Sequence, residues 1–266
     1  MNLSEALKKY PEDETELFLS HLLKWDKTKL YTNPGKKLSV EQVKKLSELI
    51  RKLRNHWPVA YLLGYKYFYG LKFKITKDTL IPRPETEWII DEAIALSRKL
   101  KNPKVLDIGT GSGCIAVSIA SSIPRAEVIA SDISSKALVI AKSNAKTHKT
   151  KVKFIKANLL PKTDQSFDII IANLPYVPKS FYNKNYTNLK HEPKSALVDR
   201  NRNGDLYIEL LNQIKKSGQL PKHLIFEIDP ELVSLLRKST KLLFPKSKIR
   251  IIKDLNKLDR FIVIDF

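Results

Sequence analysis

The segment "IIIANLPYVP" combines residue types that could hold a reacting nitrogen. The side-chain oxygen of Asn173 and the main-chain carbonyl of Leu174 can each accept one hydrogen from an incoming NH2 group. Pro175 stiffens the turn, and Tyr176 offers a ring face to a flat substrate. We therefore predict that these four residues bind a planar nitrogen nucleophile and act in catalysis. An ordinary Asn-x-Pro turn would explain the asparagine and the proline but not the aromatic residue.

A second candidate site is the glycine-rich segment "LDIGTGSGCIAVSIA", which follows a predicted strand and begins a predicted helix. Glycines here permit a tight turn and let the backbone approach a ligand. Their spacing differs from the GxGxxG of dinucleotide-binding folds, and no Lys-Ser/Thr pair follows as in a phosphate-binding NTPase loop. An aspartate beside the loop repels phosphates but pairs with an ammonium group, which suits the amino-acid end of S-adenosylmethionine. The predicted cofactor-binding residues are Asp107, Gly109, Thr110, Gly111, Ser112 and Gly113.

The ends of the next three predicted strands supply further candidates for binding this cofactor. Asp132 ends the strand in "IASD", where a carboxylate can accept hydrogen bonds from both ribose hydroxyls. Asn158 and Leu159 follow the third strand and could hydrogen-bond and cover the adenine, and Asn173 follows the fourth. Each signal has a structural alternative: a glycine turn alone, an Asp132 that caps the next helix, or an Asn158 that only makes a turn. Their common order and spacing predict a nucleoside-cofactor site.

Seven short runs rich in Val and Ile predict the β-strands that would position these residues. Helical patterns separate most of the runs, which indicates βαβ units around a largely parallel sheet and an α/β fold class. Ligands of open α/β sheets bind beyond the carboxyl ends of the strands, so the candidate segments should share one crevice. Only "LNKLD" joins the last two runs, so that pair should be antiparallel. The runs are "KVLDIG", "AEVIASD", "KVKFIKAN", "FDIIIAN", "HLIFEID", "IRIIKD" and "RFIVIDF".

The pattern divides the chain into three predicted regions. In residues 1–64 apolar residues recur at three- and four-residue spacing, as in "SVEQVKKLSELIRKLRN", which predicts a small helical bundle. Residues 65–80 include "YKYFYGLKFKIT", which alternates across a glycine as a β-hairpin does, and we predict a linker there. Residues 81–266 contain the predicted sheet.

The composition limits the class of protein. Lys and Arg number 48 against 28 Asp and Glu, and the formal charge of +20 predicts attraction to RNA, a ribosome or an acidic protein surface. The basic residues are spread along the chain, so a solvated Lys-rich surface is the alternative. No window reaches the roughly 18 consecutive apolar residues of a membrane span, and acidic residues near the start argue against a signal peptide. With a single cysteine, Cys114, we expect no intramolecular disulfide, no thiolate metal cluster and a location in the reducing cytoplasm. We also expect a monomer that binds no metal.

Charged residues outside these strands have two interpretations. Arg83 and Glu85 in "IPRPETE" are candidates for a lid that orders the cofactor loop. An interdomain salt bridge is the structural alternative, because loop charges pair freely. Glu192 in "HEP" either braces the Asn173 loop or faces solvent.

The motif [NDS]-x-P-[YFW] after the fourth strand resembles that of methyltransferases acting on exocyclic or amide nitrogens. Over nearly its whole length the chain resembles the PrmC/HemK family, the release-factor glutamine N5-methyltransferases. The resemblance implies a Rossmann-like class I methyltransferase domain and an amino-terminal helical domain that docks the release factor. It also implies methylation of the glutamine in the GGQ motif of peptide chain release factors, which modulates translation termination. The matching segments are "PVAYLLGYKYFYGLKFKI", "IPRPETE", "VLDIGTGSGCIAVSIA", "NLPY", "HEPKSALV" and "KDLNKLDRFIV".

The sequence departs from the family pattern at three places. The family has NPPY where this chain has Leu174, and NLPY is more familiar from rRNA adenine dimethyltransferases. Because this position would act through its main-chain carbonyl, leucine can serve, with some loss of stiffness. The family's Asp-Gly-Leu reads "NGDL" at 203–206, and its Glu-Ile-Gly reads "EID" at 227–229, so the shape of the crevice differs.

Two other functions fit parts of the sequence. An RNA adenine N6-methyltransferase is favoured by NLPY and by the charge of +20, but such enzymes lack the amino-terminal domain and "IPRPETE". A non-catalytic RNA-binding module that retains the fold is the second, and it would not bind S-adenosylmethionine.

Overall fold

The computed structural model of the protein describes residues 1–199 and 204–266, so Asn203 of the "NGDL" segment lies outside the described residues. The chain forms two compact units, Met1–Tyr65 and Lys66–Phe266. Within the described ranges, no helix has both the length and the apolar character that crossing a membrane requires.

The first unit is the predicted bundle of short helices around its own apolar core. Its longest helix begins at a capping box: the Gln42 N–H donates to Ser39 Oγ at 3.1 Å, and the Ser39 N–H donates to Gln42 Oε1 at 2.9 Å. Leu46 and Ile50 of that helix are buried against Phe18 and other apolar residues. The helices are α1 (Leu3–Lys9), α2 (Thr15–Leu23), α3 (Lys27–Thr32), α4 (Val40–Arg54) and α5 (Val59–Leu63).

A two-stranded hairpin follows, as the alternating pattern predicted. It consists of β1 (Tyr65–Phe68) and β2 (Leu71–Lys74), joined by a turn at Tyr69 and Gly70. The side chain of Asn144 holds the second strand, because it accepts the Lys74 N–H at 2.8 Å and donates to the Lys74 carbonyl at 3.0 Å. The end of the hairpin is thus tied to the helix that carries Asn144.

The second unit contains the predicted seven-stranded, mostly parallel sheet. Its strand order is β5-β4-β3-β6-β7-β9-β8, and β9 runs antiparallel to both of its neighbours, β7 and β8. The antiparallel pairing of the last two strands is confirmed. The strands are β3 (Lys104–Ile108), β4 (Glu127–Asp132), β5 (Val152–Lys156), β6 (Ile169–Ala172), β7 (His223–Glu227), β8 (Lys248–Lys253) and β9 (Asp259–Asp265).

Helices cover both faces of this sheet. Along β3, Val105 packs in the cluster that includes Ile89 and Ile115, whereas Leu106 packs on the other face with Leu210. The order of the strands reverses between β3 and β6, which leaves a crevice beyond their carboxyl ends. The helices are α6 (Trp88–Ser97), α7 (Cys114–Ser122), α8 (Ser135–Thr147), α9 (Lys179–Lys184), α10 (Tyr186–Leu189), α11 (Lys194–Leu197), α12 (Asp205–Ser217) and α13 (Val233–Leu243), with 3-10 turns at Pro84–Glu87 and Pro230–Leu232.

Candidate active site

A cavity of about 260 Å³ opens at the carboxyl ends of β3, β4 and β6. Residues from four separate predicted segments meet in its wall, which is the arrangement expected at the point where strand order reverses. Lys77, Asp78, Thr79 and Leu80, which precede "IPRPETE", also line it and were not predicted. The predicted residues that line the cavity are Gly109, Gly111, Asp132, Asn158, Leu159, Asn173, Leu174 and Pro175.

The glycine loop between β3 and α7 lies directly against the "NLPY" segment. Gly109 has φ +73°, and a Cβ added there would come within 3.4 Å of the Leu174 side chain. Gly113 has φ +81°, and an added Cβ would lie 3.0 Å from the Cβ of Ala141 in α8. Gly109 is favoured for its backbone conformation, since the added Cβ would make only ordinary contact with Leu174, whereas Gly113 is favoured both by its backbone conformation and by the close packing of α7 on α8.

Asp107 lies behind the cavity and braces the loop. Its Oδ2 accepts the Thr110 hydroxyl at 2.6 Å and the Ala116 N–H at 3.2 Å. Its Oδ1 is buried and has no hydrogen-bond partner among the residues that the structure describes. Burial raises the pKa of Asp107 to about 7. Pairing with an ammonium group stays a prediction for this carboxyl, as does cofactor contact for Thr110, Ser112 and Gly113, which do not line the cavity.

Asp132 ends β4 and lines the cavity with both oxygens already held by the backbone. Oδ2 accepts the Gly111 N–H at 2.9 Å, and Oδ1 accepts the Ser134 N–H at 2.8 Å. Helix α8 is capped by Ser134, whose Oγ accepts the Ala137 N–H at 3.2 Å, so capping by Asp132 does not occur. Burial raises the pKa of Asp132. Its carboxylate is thus fixed in place at the cavity wall, between the glycine loop and α8.

Leu159 and Asn158 form the wall at the end of β5. Leu159 adopts the left-handed conformation with φ +62°, which costs a leucine roughly 1–2 kcal/mol. Its carbonyl accepts the buried Ser131 hydroxyl at 3.3 Å, and its side chain is 7% exposed, whereas Asn158 is exposed at the rim. Strained backbone of this kind is concentrated at ligand sites.

Asn173 follows β6, and its amide nitrogen is held by a group that sequence reasoning missed. Nδ2 donates to Glu227 Oε2 at 2.8 Å and lies 3.5 Å from Thr86 Oγ1. The Thr86 hydroxyl donates to the same Glu227 oxygen at 2.6 Å. Glu227 is 2% exposed, and burial raises its pKa to about 7. Its sequence signals were its place at the end of the strand "HLIFEID" and its position in the "EID" segment, which gave it no role in holding Asn173.

The Leu174 carbonyl also has a partner that was not predicted. The buried Tyr207 hydroxyl lies 3.0 Å from this oxygen and 2.6 Å from the Glu227 carbonyl oxygen. A carbonyl oxygen has two lone pairs, so one contact with Tyr207 leaves Leu174 able to accept a second hydrogen. The Leu174 side chain is 4% exposed and packs beneath Gly109.

A second cavity, of about 130 Å³, shares residues with the first. Asn173 and Leu174 line both cavities and therefore form part of the wall between them. Tyr176, Arg83 and Glu227 line the second cavity only. Burial raises the pKa of the Tyr176 hydroxyl above its usual value, so the hydroxyl keeps its proton at neutral pH.

Arg83 and Glu192 connect two segments that border the cavities. Arg83 Nη2 lies 2.5 Å from Glu192 Oε1, and Glu192 Oε2 accepts the Ile81 N–H at 3.2 Å. Both residues belong to the second unit, so this ion pair does not join the two units. Glu192 is 6% exposed and holds "IPRPETE" to the "HEP" turn instead of facing solvent. Glu85 is exposed and lines neither cavity.

Two family models match the chain. The Methyltransferase small domain matches residues 92–223, and the PrmC N-terminal domain matches residues 2–64. The release factor glutamine methyltransferase of Flavobacterium psychrophilum is 36% identical, and the alignment covers 97% of this chain and 94% of that protein. The enzyme of the same name from Rhodopirellula baltica is also 36% identical, over 92% of this chain and 86% of that protein.

Solved structures share the fold. The N-terminal domain of human METTL16 in complex with SAH superimposes with a TM-score of 0.56 at 13% identity, over 98% of this chain and 96% of that one. That likeness concerns architecture, whereas the sequence relatives align over nearly the whole length of both units. The chain therefore belongs to the release factor glutamine methyltransferase family and uses S-adenosylmethionine as its cofactor.

Proposed function

We propose that this protein transfers a methyl group from S-adenosylmethionine to the side-chain nitrogen (N5) of the glutamine in the GGQ motif of peptide chain release factors, and so modulates translation termination. The observation that carries the proposal is the position of Asn173 and Leu174 in the wall between two cavities. A methyl donor in one cavity and an amide in the other would meet at these two residues. The names of the relatives support the release factor as the substrate.

The larger cavity would hold S-adenosylmethionine. Asp132 in the cavity wall would accept the ribose hydroxyls. Asp107 lies behind the wall, and its Oδ1, which has no partner among the described residues, would accept the ammonium group. Gly109 and Gly111 keep the floor free of side chains, and Leu159 supplies an apolar wall for the adenine. When bound, this cofactor supplies a methyl group on a positively charged sulfur, which makes the methyl carbon electrophilic.

The smaller cavity would orient the nucleophile. An amide nitrogen attacks poorly because its lone pair is delocalised. If its two N–H groups donate to Asn173 Oδ1 and the Leu174 carbonyl, the lone pair is directed across the wall, and such alignment lowers barriers by about 7–11 kcal/mol. Asn173 and Leu174 would hold the amide nitrogen toward the methyl group that the cofactor would supply, and the methylated nitrogen would release one proton to water. No side chain is required as a general base.

Neighbouring segments complete the proposed site. Pro175 stiffens the turn, and Tyr176 offers its ring to the planar amide. The ion pair of Arg83 with Glu192 would keep "IPRPETE" closed beside the cavities as a lid, and Glu85 would contribute from its exposed position. Methyl transfer of this kind needs no metal.

The helical region, residues 1–64, is proposed to dock the release factor, while residues 65–80 link it to a methyltransferase domain of residues 81–266. We infer a monomer, because one chain supplies every residue of the proposed site. The charge of +20 would favour encounter near a ribosome or RNA without specifying the target.

An RNA adenine N6-methyltransferase is the second candidate, because Leu174 gives the motif NLPY and the charge is strongly positive. The PrmC N-terminal domain match supports the release factor instead. The test is transfer of tritiated methyl groups to purified release factor, to the same factor with the GGQ glutamine replaced by alanine, and to rRNA. Label on the intact factor alone is expected. Label on rRNA with none on the factor would favour the second candidate.

A further inference from the structure

Glu227 accepts hydrogen bonds from three residues in two separate segments around the proposed site, "IPRPETE" and "NLPY". Thr86 Oγ1 lies 2.6 Å from Oε2, Asn173 Nδ2 lies 2.8 Å from the same oxygen, and the Tyr176 hydroxyl lies 3.5 Å from Oε1. The sheet explains how they meet. In the parallel pair of β6 and β7, Ala172 is opposite Phe226, so the next residues, Asn173 just after β6 and Glu227 at the end of β7, lie side by side.

The contacts of Glu227 decide which end of the Asn173 amide faces the cavities. The two ends of an amide have the same shape, but one donates and the other accepts hydrogen bonds. An ionised carboxylate only accepts, so it draws the NH2 end of Asn173 toward itself and leaves the oxygen pointing away. A hydrogen-bond donor in place of the Glu227 carboxylate would favour the opposite orientation of the Asn173 amide. Its NH2 end would then face the cavities and repel the N–H groups of an incoming amide.

We propose that Glu227 is a positioning residue that sets the Asn173 amide so that its oxygen, and not its NH2 group, receives the substrate nitrogen. This inference rests on the proposed function and adds to it a residue that lines the second cavity and would act on the substrate amide through Asn173. Thr86 belongs to the same hydrogen-bond network, because its hydroxyl donates to Glu227. Since Thr86 lies in "IPRPETE", it connects that segment to the Asn173 amide.

The charged groups around Glu227 make the orientation of the Asn173 amide sensitive to pH. Arg260 from β9 favours the ionised form, whereas Glu85 from the 3-10 turn opposes it. Tyr176 and Tyr207 face Glu227 from the "NLPY" segment and α12, and Arg83 and Asp229 act on Tyr176. Burial outweighs the favourable contacts and raises the pKa of Glu227 to about 7. Protonation gives the carboxyl a donor that can turn the amide, so activity should fall as pH drops below about 7.

The experiment compares Glu227→Gln with the wild type, with Thr86→Val and Thr86→Ser, and with Glu209→Gln, a control at an exposed position on α12. Methyl transfer to release factor is measured from pH 5.5 to 8.5, and cofactor affinity is measured by calorimetry. We expect Glu227→Gln to lower kcat/KM roughly 100-fold at pH 8, as misplacement of a reacting group does, with cofactor affinity unchanged. Thr86→Val should also lower kcat/KM, but by less. Thr86→Ser and Glu209→Gln should have the kcat/KM of the wild type.

A second measurement needs no substrate, so it separates this inference from the proposed function. The side-chain ¹⁵NH2 signals of Asn173, assigned by their loss in Asn173→Ala, should shift with a midpoint near pH 7 in the wild type and should not shift in Glu227→Gln. If the wild type methylates no release factor but this titration is present, the proposed function fails and the positioning role stands. If the signals do not respond to pH, or if Glu227→Gln keeps kcat/KM within threefold of the wild type at every pH, the inference is overturned.

Discussion

At the scale of single residues, burial sets the state of the two carboxyl groups behind the crevice. Asp107 and Glu227 are 1% and 2% exposed, and burial raises the pKa of each to about 7. The ionised form of Glu227 is the one that orients Asn173, yet burial disfavours that form. The chain thus keeps a costly charge where a neutral residue would stabilise the fold better, which is common at functional sites.

The energetic cost of ionising the buried Glu227 carboxyl should make the free energy of unfolding depend on pH. Between pH 4.5 and 7 the folded protein keeps the Glu227 proton that the unfolded chain has lost, so this residue contributes stability at low pH that is lost as pH rises through about 7. Urea unfolding at pH 5 and pH 8 measures it. From pH 5 to pH 8 the free energy of unfolding of the wild type should fall by up to about 3 kcal/mol more than that of Glu227→Gln. Equal pH dependence in the two proteins would contradict the account.

Tyr207 should matter for catalysis although it lines neither cavity. Tyr207→Phe removes the hydroxyl that contacts the Leu174 carbonyl, and a hydrogen bond of about 1 kcal/mol corresponds to a roughly fivefold lower kcat, with little change in cofactor affinity. Tyr10→Phe is the matched control, because it removes a 2.6 Å hydrogen bond to Ser47 in the first unit. Both variants should lose similar stability, but only Tyr207→Phe should lose activity. Equal kcat in both would argue against a role for the carbonyl.

At the scale of secondary structure, the sequence predicted what local pattern determines. The seven strands, the antiparallel final pair and the hairpin follow from alternation, apolar runs and short connections. Thr86, Glu227 and Tyr207 were missed because their contacts depend on long-range packing, namely β6 beside β7 and α12 over the sheet. The partner of Arg83 was missed for the same reason, since Glu192 lies far along the chain.

The contact between α7 and α8 gives a prediction at this scale. Gly113→Ala would place a Cβ 3.0 Å from Ala141 in a backbone conformation with φ +81°. Gly218→Ala is the control, because its φ is +71° and nothing lies within 4 Å of the added Cβ. Each should cost roughly 1–2 kcal/mol of stability for the backbone, and Gly113→Ala should cost a further 1–3 kcal/mol for overpacking, as measured by thermal unfolding. Equal losses would show that the helices separate freely.

At the scale of the whole molecule, two compact units accompany a single proposed site. The second unit holds every residue proposed to bind cofactor and amide, and we propose that the first unit recognises the rest of the release factor. Binding energy from remote parts of a substrate can be used to raise kcat as well as to lower KM.

A short peptide that contains Gly-Gly-Gln should therefore be a poor substrate. We expect its kcat/KM to be at least about 100-fold below that of the intact release factor, since contacts away from the reacting amide are missing. Initial rates with both substrates measure the ratio, and versions with the glutamine replaced by alanine give the background. Similar values for peptide and protein would remove the need for a docking unit.

The central claim is that the Asn173 amide oxygen and the Leu174 carbonyl orient the nitrogen that receives the methyl group. The most direct test is Asn173→Ala, with cofactor affinity by calorimetry and methyl transfer to release factor measured on one preparation. The account predicts cofactor affinity within a few-fold of the wild type and a loss of transfer of roughly 100-fold or more. Transfer at the wild-type rate by a variant that lacks this amide would contradict it.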